Sequence, residues 1–265
     1  MIRAGFLLAL LTALPGAGAQ AATAALVIDD LGHNRDRARR ALALPPPLAV
    51  AVLPDAPYAR LIAGAADRAG IELLVHLPME GHKSQPPRMA LHDGMTNEEL
   101  RRRVRVALGR VPGAIGISNH MGSVLTEDRR AMTVVMRELR AAPRAPLVFL
   151  DSRTTADTVA KAAAVRAGIG TAARDVFLDN EREPAAIERQ LHHWLARAER
   201  TGCALAIGHP YPETLAVLER LLPRIRGVRR VGLREYIRTC GTPGAPQPVP
   251  RVAAHAPGTD APAER

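Results

Sequence analysis

Five acidic or imidazole side chains stand at or just beyond the ends of short apolar runs: Asp29, Asp30, His76, His120 and His209. Two neighbouring carboxylates repel each other, which raises the pKa of one of them unless a cation lies beside the pair. Carboxylates and neutral imidazoles are common ligands of Zn²⁺ and related ions, and catalytic sites combine three protein ligands with one open position for water. The pattern predicts a metal site built from His76, His120 and one of the two aspartates, with a general base beside it.

The elements that position these residues are short aliphatic segments with the length and composition of buried strands. Polar residues follow almost every one of them. The predicted strands are Ala25–Ile28, Leu48–Leu53, Ile71–Val75, Ala114–Ile117, Leu147–Leu150, Arg174–Leu178, Ala204–Ile207 and Val228–Leu233.

Helical periodicity fills the intervals between these strands, and four helix starts can be identified. Thr96 with Glu99 three residues later is a capping-box pattern that predicts a helix to about Leu108. The other predicted helices begin at Thr126-Glu127-Asp128, at Pro184 and at Pro212, and end near Arg140, Arg200 and Leu222.

Strands that are apolar throughout and alternate with helices predict a parallel sheet covered on both faces. Seven or eight such units favour a closed or nearly closed (β/α) barrel, with a doubly wound open sheet as the alternative. In both folds the carboxyl ends of the strands form one open rim. The five acidic and imidazole side chains are therefore expected to meet at this rim.

Six short motifs in order resemble the divergent polysaccharide deacetylase family, over about Ala24 to Tyr236. The resemblance implies a distorted (β/α) barrel of seven or eight parallel strands. It also implies metal-dependent removal of N-acetyl or O-acetyl groups from glycans. The motifs are Ile28-Asp29-Asp30-Leu31-Gly32, His76-Leu77-Pro78-Met79-Glu80, Asn119-His120-Met121-Gly122-Ser123, Leu150-Asp151-Ser152-Arg153-Thr154, Ala173-Arg174-Asp175-Val176-Phe177-Leu178-Asp179 and Gly208-His209-Pro210-Tyr211-Pro212.

The resemblance assigns a role to each of the five residues. Asp29 is the expected general base and Asp30 the expected metal ligand, with His76 as the first imidazole ligand. The wider superfamily places a second His four residues later, where this chain has Glu80. His120 is the expected replacement, and His209 is the expected acid that protonates the departing amine. The remaining residues expected to bind substrate or to support the site are Glu80, Asp151, Arg153 and Asp175.

The expected activity is that of an exported, metal-dependent carbohydrate deacetylase that acts on a cell-envelope glycan, with zinc as the expected ion. The superfamily's Arg-Pro-Pro-Tyr segment is not evident, and fold alone does not establish activity. The alternative is therefore a catalytically inactive protein of the same fold that binds glycans or regulates the envelope.

The N-terminus has the organisation of a signal peptide. Met1-Ile2-Arg3 supplies a positive charge, Ala4–Leu14 is apolar, and small residues follow up to Ala21. The apolar run is too short to span a bilayer. The sequence thus predicts a signal peptide over residues 1–21, a periplasmic or secreted protein, and no stable membrane span after cleavage.

Charge and composition limit the other classes of function. The chain has 36 Lys and Arg against 26 Asp and Glu, but the arginines are scattered along helices, as in Arg101-Arg102-Arg103-Val104-Arg105. No recognition motif accompanies this charge, so nucleic acid is not an expected partner. The barrel domain is predicted over residues 22–240, and the Pro-rich segment 241–265 is predicted to be a disordered tail.

The sequence contains two cysteines, Cys203 and Cys240. An even count in an exported protein is compatible with one disulfide. Because Cys203 opens an apolar run, a buried free thiol explains it equally well.

Overall fold

The computed structural model describes residues 21–82, 87, 89–143 and 146–245, in which parallel strands alternate with helices. The sheet order is β6-β5-β4-β3-β2-β1-β8-β7, and the short β9 pairs with β1. The strands are β1 (Thr23–Leu31), β2 (Ala49–Val52), β3 (Glu72–Met79), β4 (Gly116–Met121), β5 (Val148–Asp151), β6 (Gly170–Ala173), β7 (Val176–Phe177), β8 (Cys203–Gly208) and β9 (Arg229–Arg230).

This strand order is that of a barrel. Strands that follow one another in the chain are sheet neighbours, and β8 returns to pair with β1. A doubly wound sheet would instead reverse its order at a central strand. Because β6 and β7 are the two ends of the path, the curled sheet stays open between them. The prediction of a distorted (β/α) barrel is confirmed.

The helices begin where the sequence places capping residues. The Thr96 hydroxyl accepts a hydrogen bond from Glu99 N at 3.2 Å, and the Asp128 carboxylate accepts from Arg130 N at 2.8 Å. The helices are α1 (Arg35–Leu42), α2 (Ala59–Arg68), α3 (Asn97–Arg110), α4 (Arg129–Ala141), α5 (Ala160–Arg166), α6 (Pro184–Thr201), α7 (Pro212–Leu221) and α8 (Leu233–Thr239).

Alternating side chains of each strand enter two different cores. On β1, Ala24 and Leu26 pack in the large core shared with outer helices such as α3, α4 and α6. Ala25 and Val27 face the concave side, where residues of α8 such as Tyr236 fill the space. Helix α8 thereby fills the lower part of the barrel and leaves the carboxyl rim open.

Two predicted strands are shorter in the structure, and one observed strand was not predicted. The expected strand Arg174–Leu178 is limited to Val176–Phe177. The expected strand Val228–Leu233 is limited to Arg229–Arg230, because α8 begins at Leu233, where the Glu72 carboxylate accepts a hydrogen bond from Leu233 N. Strand β6 was not predicted, since its residues are Gly170-Thr171-Ala172-Ala173, which carry no long aliphatic side chain.

Cys203 and Cys240 form a disulfide, which resolves the alternative that the sequence left open. It joins the start of β8 to the end of α8, with 5.9 Å between the Cα atoms. Residues 241–245 continue past the predicted boundary at 240 and hydrogen-bond to the β6 region, where Thr242 pairs with Thr171.

The predicted signal peptide lies outside the described residues apart from Ala21, and so does the predicted tail after Ala245. Across the described part of the chain, no helix has the length and apolar character needed to cross a membrane.

Candidate active site

The side chains that face the concave side of the sheet continue along each strand from the apolar inner core into the candidate site. Successive inward residues on one strand are two apart, so the position after Val27 is Asp29 and the position after Leu74 is His76. By the same rule the position after Ile207 of β8 is His209, the first residue beyond that strand. The apolar inner core thus ends in a polar layer at the rim.

Asp30 breaks this alternation, since its φ of 58° lies in the left-handed region. Consecutive residues of a regular strand face opposite sides, whereas here both carboxylates approach one imidazole. His76 Nε2 lies 3.7 Å from Asp29 Oδ2 and 3.0 Å from Asp30 Oδ1. The backbone conformation therefore explains how the Asp-Asp pair contributes two side chains to one site.

Asp30, His76 and His120 form the first candidate metal-ligand group. Asp30 Oδ1 lies 2.8 Å from His120 Nδ1, and one potential ligand atom from each residue lies within 4.8 Å of the others. One carboxylate oxygen and two imidazole nitrogens are a donor set that suits Zn²⁺ and similar ions. The structure brings together the three residues that the sequence predicted as ligands.

Buried oxygen atoms without partners support a cation at this position. Asp29 Oδ1 and Asp30 Oδ1 are buried and, within the described residues, accept no hydrogen bond of acceptable geometry. An unpaired buried carboxylate oxygen is costly unless a cation or donor satisfies it. The residues present therefore fit a divalent cation.

The two carboxyl groups differ in their electrostatic surroundings. Burial raises the pKa of Asp29, which is only 2% exposed, and this outweighs the lowering effect of His76 and His209. Burial also acts to raise the pKa of Asp30, but contacts with His120 and His76 hold it below its usual range. Asp30 is the more strongly anionic of the pair, as expected of a ligand, and Asp29 has the greater affinity for a proton.

The ring of His76 is oriented by a neighbour on the next strand. Its Nδ1 shares a hydrogen bond of 2.8 Å with the Ser118 hydroxyl, in the buried layer below the rim. This contact leaves Nε2 directed at the two aspartates. Polar partners of this kind fix the tautomer of ligating imidazoles, so Ser118 belongs to the site although the sequence did not identify it.

His209 is partly buried and pairs with the buried Asp179, next to the second carboxylate oxygen of Asp30. His209 Nδ1 donates to Asp179 Oδ1 at 2.9 Å, and its Nε2 lies 3.8 Å from Asp30 Oδ2. Asp179 Oδ2 also accepts from the His209 backbone N–H and from the Thr214 hydroxyl. Burial lowers the pKa of His209, but the bond to Asp179 and the nearby carboxylates raise it above its ordinary value.

Asp179 is the clearest functional candidate that sequence reasoning missed, because its position before α6 resembles that of a helix cap. Aromatic rings flank the imidazole that it holds. Phe177 stacks on His209 with 5.0 Å between ring centroids, and Tyr211 lies 5.4 Å from it in a tilted arrangement.

Three other residues that the sequence predicted for the site, Asp151, Asp175 and Arg153, are not among the potential metal ligands grouped with Asp30. Asp151 accepts hydrogen bonds from Arg153 N and from the Thr158 hydroxyl, so it supports the turn after β5. Asp175 forms an ion pair with Arg197 at 2.9 Å. The side chain of Arg153 is exposed at the rim.

Glu80 belongs to a second group of potential ligands, together with His92 and Asp93. Its Oε2 accepts a hydrogen bond from Asp93 N at 3.0 Å. This group is more exposed than the Asp30 group, and none of its side-chain atoms is among the buried atoms without a hydrogen-bond partner in the described residues.

Comparisons with known proteins agree with this architecture. YibQ, an uncharacterized protein of Escherichia coli K12, is 41% identical over 199 residues, which cover 75% of this chain and 61% of that protein. The chain therefore spans less than two thirds of the length of this relative.

Two solved structures show the same fold. The uncharacterized protein ATU2773 of Agrobacterium tumefaciens C58 matches with a TM-score of 0.75 and 24% identity, over 82% of this chain and 90% of that one. The T48 deacetylase, solved with substrate, matches with a TM-score of 0.50 and 14% identity, over 86% of this chain and 95% of that one.

The sequence model of the divergent polysaccharide deacetylases matches residues 26–236. The match begins within β1 and ends within α8, so it includes at least part of every strand and all the residues of the candidate site. This chain belongs to the divergent polysaccharide deacetylase family.

Proposed function

We propose that the protein is an exported, metal-dependent hydrolase that removes N-acetyl or O-acetyl groups from a cell-envelope glycan. The observation that carries the proposal is the meeting of two carboxylates and two imidazoles in one cluster. Asp30 Oδ1 lies 3.0 Å from His76 Nε2 and 2.8 Å from His120 Nδ1, and the adjacent Asp29 Oδ1 is buried without a hydrogen-bond partner among the described residues. Family membership supports the same reaction class.

Asp30, His76 and His120 would hold the divalent ion, and the mixed nitrogen and oxygen donor set favours zinc. When bound, the cation supplies a Lewis acid that polarises the acetyl carbonyl and lowers the pKa of water. The buried Ser118 hydroxyl keeps His76 Nε2 directed at the site. These contacts hold the imidazole ligand in one orientation before substrate arrives.

Asp29 is proposed as the general base. Its carboxylate is buried, one of its oxygens has no partner within the described residues, and burial raises its pKa. These properties favour transfer of a proton from the attacking water to Asp29. The neighbouring position of Asp30 places this base beside the ligands.

His209 is proposed as the general acid. Because its Nδ1–H donates to Asp179, its Nε2 is the atom that faces the centre. A proton on Nε2 can be donated to the departing amine or alcohol as the acyl bond breaks. Phe177 covers one face of the ring and limits the access of water to it.

The mechanistic test measures acetate release from acetylated chito-oligosaccharides and peptidoglycan fragments with the zinc-loaded protein. Asp29→Asn and His209→Ala should each lower kcat by about 10²- to 10⁴-fold while metal content is retained, since both remove proton transfer only. Asp30→Ala should lose bound metal and activity together. His192→Ala, an exposed position on α6, is the control and should match the wild type.

A folded, zinc-loaded protein that releases no acetate from any acetylated glycan would contradict the deacetylase proposal. Retained glycan binding in that case would favour the inactive binding protein on the same fold.

Export is the second part of the proposal, supported by the apolar N-terminal run and the Cys203–Cys240 disulfide. Disulfides persist in oxidising compartments and are rare in the cytosol. N-terminal sequencing of protein recovered from the periplasm or medium should show cleavage near Ala19 or Ala21. Full-length protein found only in the cytoplasm would exclude this part.

A further inference from the structure

A positively charged groove opens at the rim beside the gap between β6 and β7. Two adjoining cavities, of about 220 and 350 Å³, share Arg153, Arg174 and Asp175 in their walls. Lys161, in the first turn of α5, lines the smaller one. The smaller cavity therefore has three cationic side chains and one carboxylate around it.

The single carboxylate does not neutralise this groove, because its oxygens are already engaged. Asp175 Oδ1 accepts from the Arg197 guanidinium at 2.9 Å, and Oδ2 accepts from Leu205 N at 2.9 Å and from the Tyr236 hydroxyl at 3.3 Å. Throughout the described ranges, Arg153 and Lys161 have no acidic partner. Two cationic side chains at the groove thus remain available to an anion.

Arg174 is fixed in the wall of the groove. Its guanidinium donates to the carbonyl oxygens of Ser152 at 2.7 Å and Arg153 at 2.8 Å, neither of which carries charge. Burial and the like charge of Arg153 both lower the pKa of Arg174. Both arginines therefore line the groove, and Asp151, Asp29 and Asp175 offset only part of this lowering.

Arg153 stands on a constrained turn. Its φ of 49° lies in the left-handed region, and its backbone N–H donates to Asp151 Oδ1 at 2.9 Å. Such conformations cost free energy and persist only where the surrounding structure enforces them. The turn thus fixes the backbone of Arg153 at the rim, and its exposed side chain lines both cavities.

The groove adjoins the candidate active site. The Arg174 guanidinium lies over the Phe177 ring at 4.6 Å, and the other partner of that ring is the imidazole of His209. A group in the groove is therefore separated from the proposed general acid by one aromatic ring. The Arg174 side of the groove and the imidazole of His209 thus both contact the Phe177 ring.

We propose that this groove binds a carboxylate of the acetylated glycan, so that the natural substrate is an anionic glycan and not a neutral one. The inference rests on the proposed function, because the carboxylate and the scissile acetyl group belong to the same molecule. Guanidinium groups pair with carboxylates through two parallel hydrogen bonds, and Lys161 adds a point charge. The carboxylate can belong to a sugar or to an attached peptide.

The test measures binding by the full, zinc-loaded chain carrying Asp29→Asn, which removes the proposed base. The probes are a muramic-acid-containing oligosaccharide with free carboxylates, its methyl ester, and a peptide-bearing fragment. The carboxylate form should bind about tenfold more tightly than the ester, as expected of a charge-assisted hydrogen bond. Arg153→Gln combined with Lys161→Gln should abolish this preference, so that the acid and the ester bind the double variant equally.

Arg166→Gln is the matched control, because Arg166 is an exposed cation at the opposite end of the helix that carries Lys161. It should keep the full preference. Equal affinity for acid and ester in the parent protein, or an equal loss in the Arg166 variant, would overturn the inference. A preference limited to the peptide-bearing fragment would support the groove and assign the carboxylate to the peptide.

Acetate release by the protein with an intact Asp29 separates the two proposals. Release from acid and ester at equal kcat/KM, unaffected by the double variant, would overturn the anion site and leave the deacetylase standing. Binding preference without any acetate release would overturn the deacetylase and leave the anion site standing.

Discussion

The buried carboxylate of Asp179 accepts three hydrogen bonds and determines which nitrogen of His209 faces the site. Asp179 holds Nδ1–H, so replacement by Asn permits the opposite tautomer and removes the charge that stabilises a protonated ring. Asp179→Asn should lower kcat by about 10- to 100-fold with bound zinc unchanged. The ¹⁵N shifts of Nδ1 and Nε2 in the His209 ring should change at the same time toward those of the opposite tautomer, which a displaced ring that keeps its tautomer would not show.

Asp157→Asn is the control, because Asp157 is exposed and its side chain makes no contact with His209. Normal kcat and unchanged imidazole shifts in the Asp179 variant would show that Asp179 does not position His209.

Residues of the site could be predicted where the signal is local. Asp29, His76 and His209 follow apolar strand segments, and parallel strands end at one rim, so their convergence followed from the sequence. Asp179 and Ser118 could not be found in this way. Each acts through a partner on another strand or loop, 30 and 42 residues away in the chain, and only the folded sheet brings the partners together.

The disulfide is an interaction between elements, since it ties β8 to the end of α8 across 37 residues. A cross-link stabilises mainly by restricting the unfolded chain, and a loop of this length corresponds to about 3 to 4 kcal/mol. The double variant Cys203→Ala/Cys240→Ala should lose roughly that free energy of unfolding in urea titration.

Reduction of the wild-type protein by dithiothreitol is the matched condition and should give the same loss. Equal unfolding free energies for the oxidised wild type and the double variant would exclude a stabilising role for the cross-link.

Elements were predicted well where capping residues or continuous aliphatic runs mark them. The helix after Thr96 begins where its capping pattern places it. Strand β6 and the end of the predicted strand Val228–Leu233 depend on tertiary contacts instead. Small residues of β6 pair with β5, and the Glu72 carboxylate of β3 caps α8.

At the scale of the whole molecule, ligand binding and folding are coupled. An ion that binds only the folded chain adds about 2.7 kcal/mol to the free energy of unfolding at 100 times its Kd. For a domain of this size, zinc should therefore raise Tm by roughly 5 to 10 °C. Asp30→Ala should abolish the increase, whereas Glu80→Gln, in the second ligand group, should retain it.

This pair of variants identifies the group that holds the ion. A Tm increase that survives Asp30→Ala and disappears in Glu80→Gln would place the stabilising ion at Glu80, His92 and Asp93 and remove the basis of the proposed mechanism.

The central position of β1 has a consequence for biosynthesis. Strand β1 pairs with β8, which begins at Cys203, and with the shorter β9, which begins at Arg229. The first strand of the domain can therefore form these pairs only after residues about 180 or more positions later have been synthesised. Pairing over such sequence distances is slow, because the chain loses the conformational entropy of loop closure before the stabilising contacts between the strands form. A nascent chain that stops before Cys203 leaves one edge of β1 unpaired and cannot complete the sheet. Strands β1 to β6 can pair in the order in which they are made, but the second edge of β1 is covered only after almost all of the domain has been synthesised.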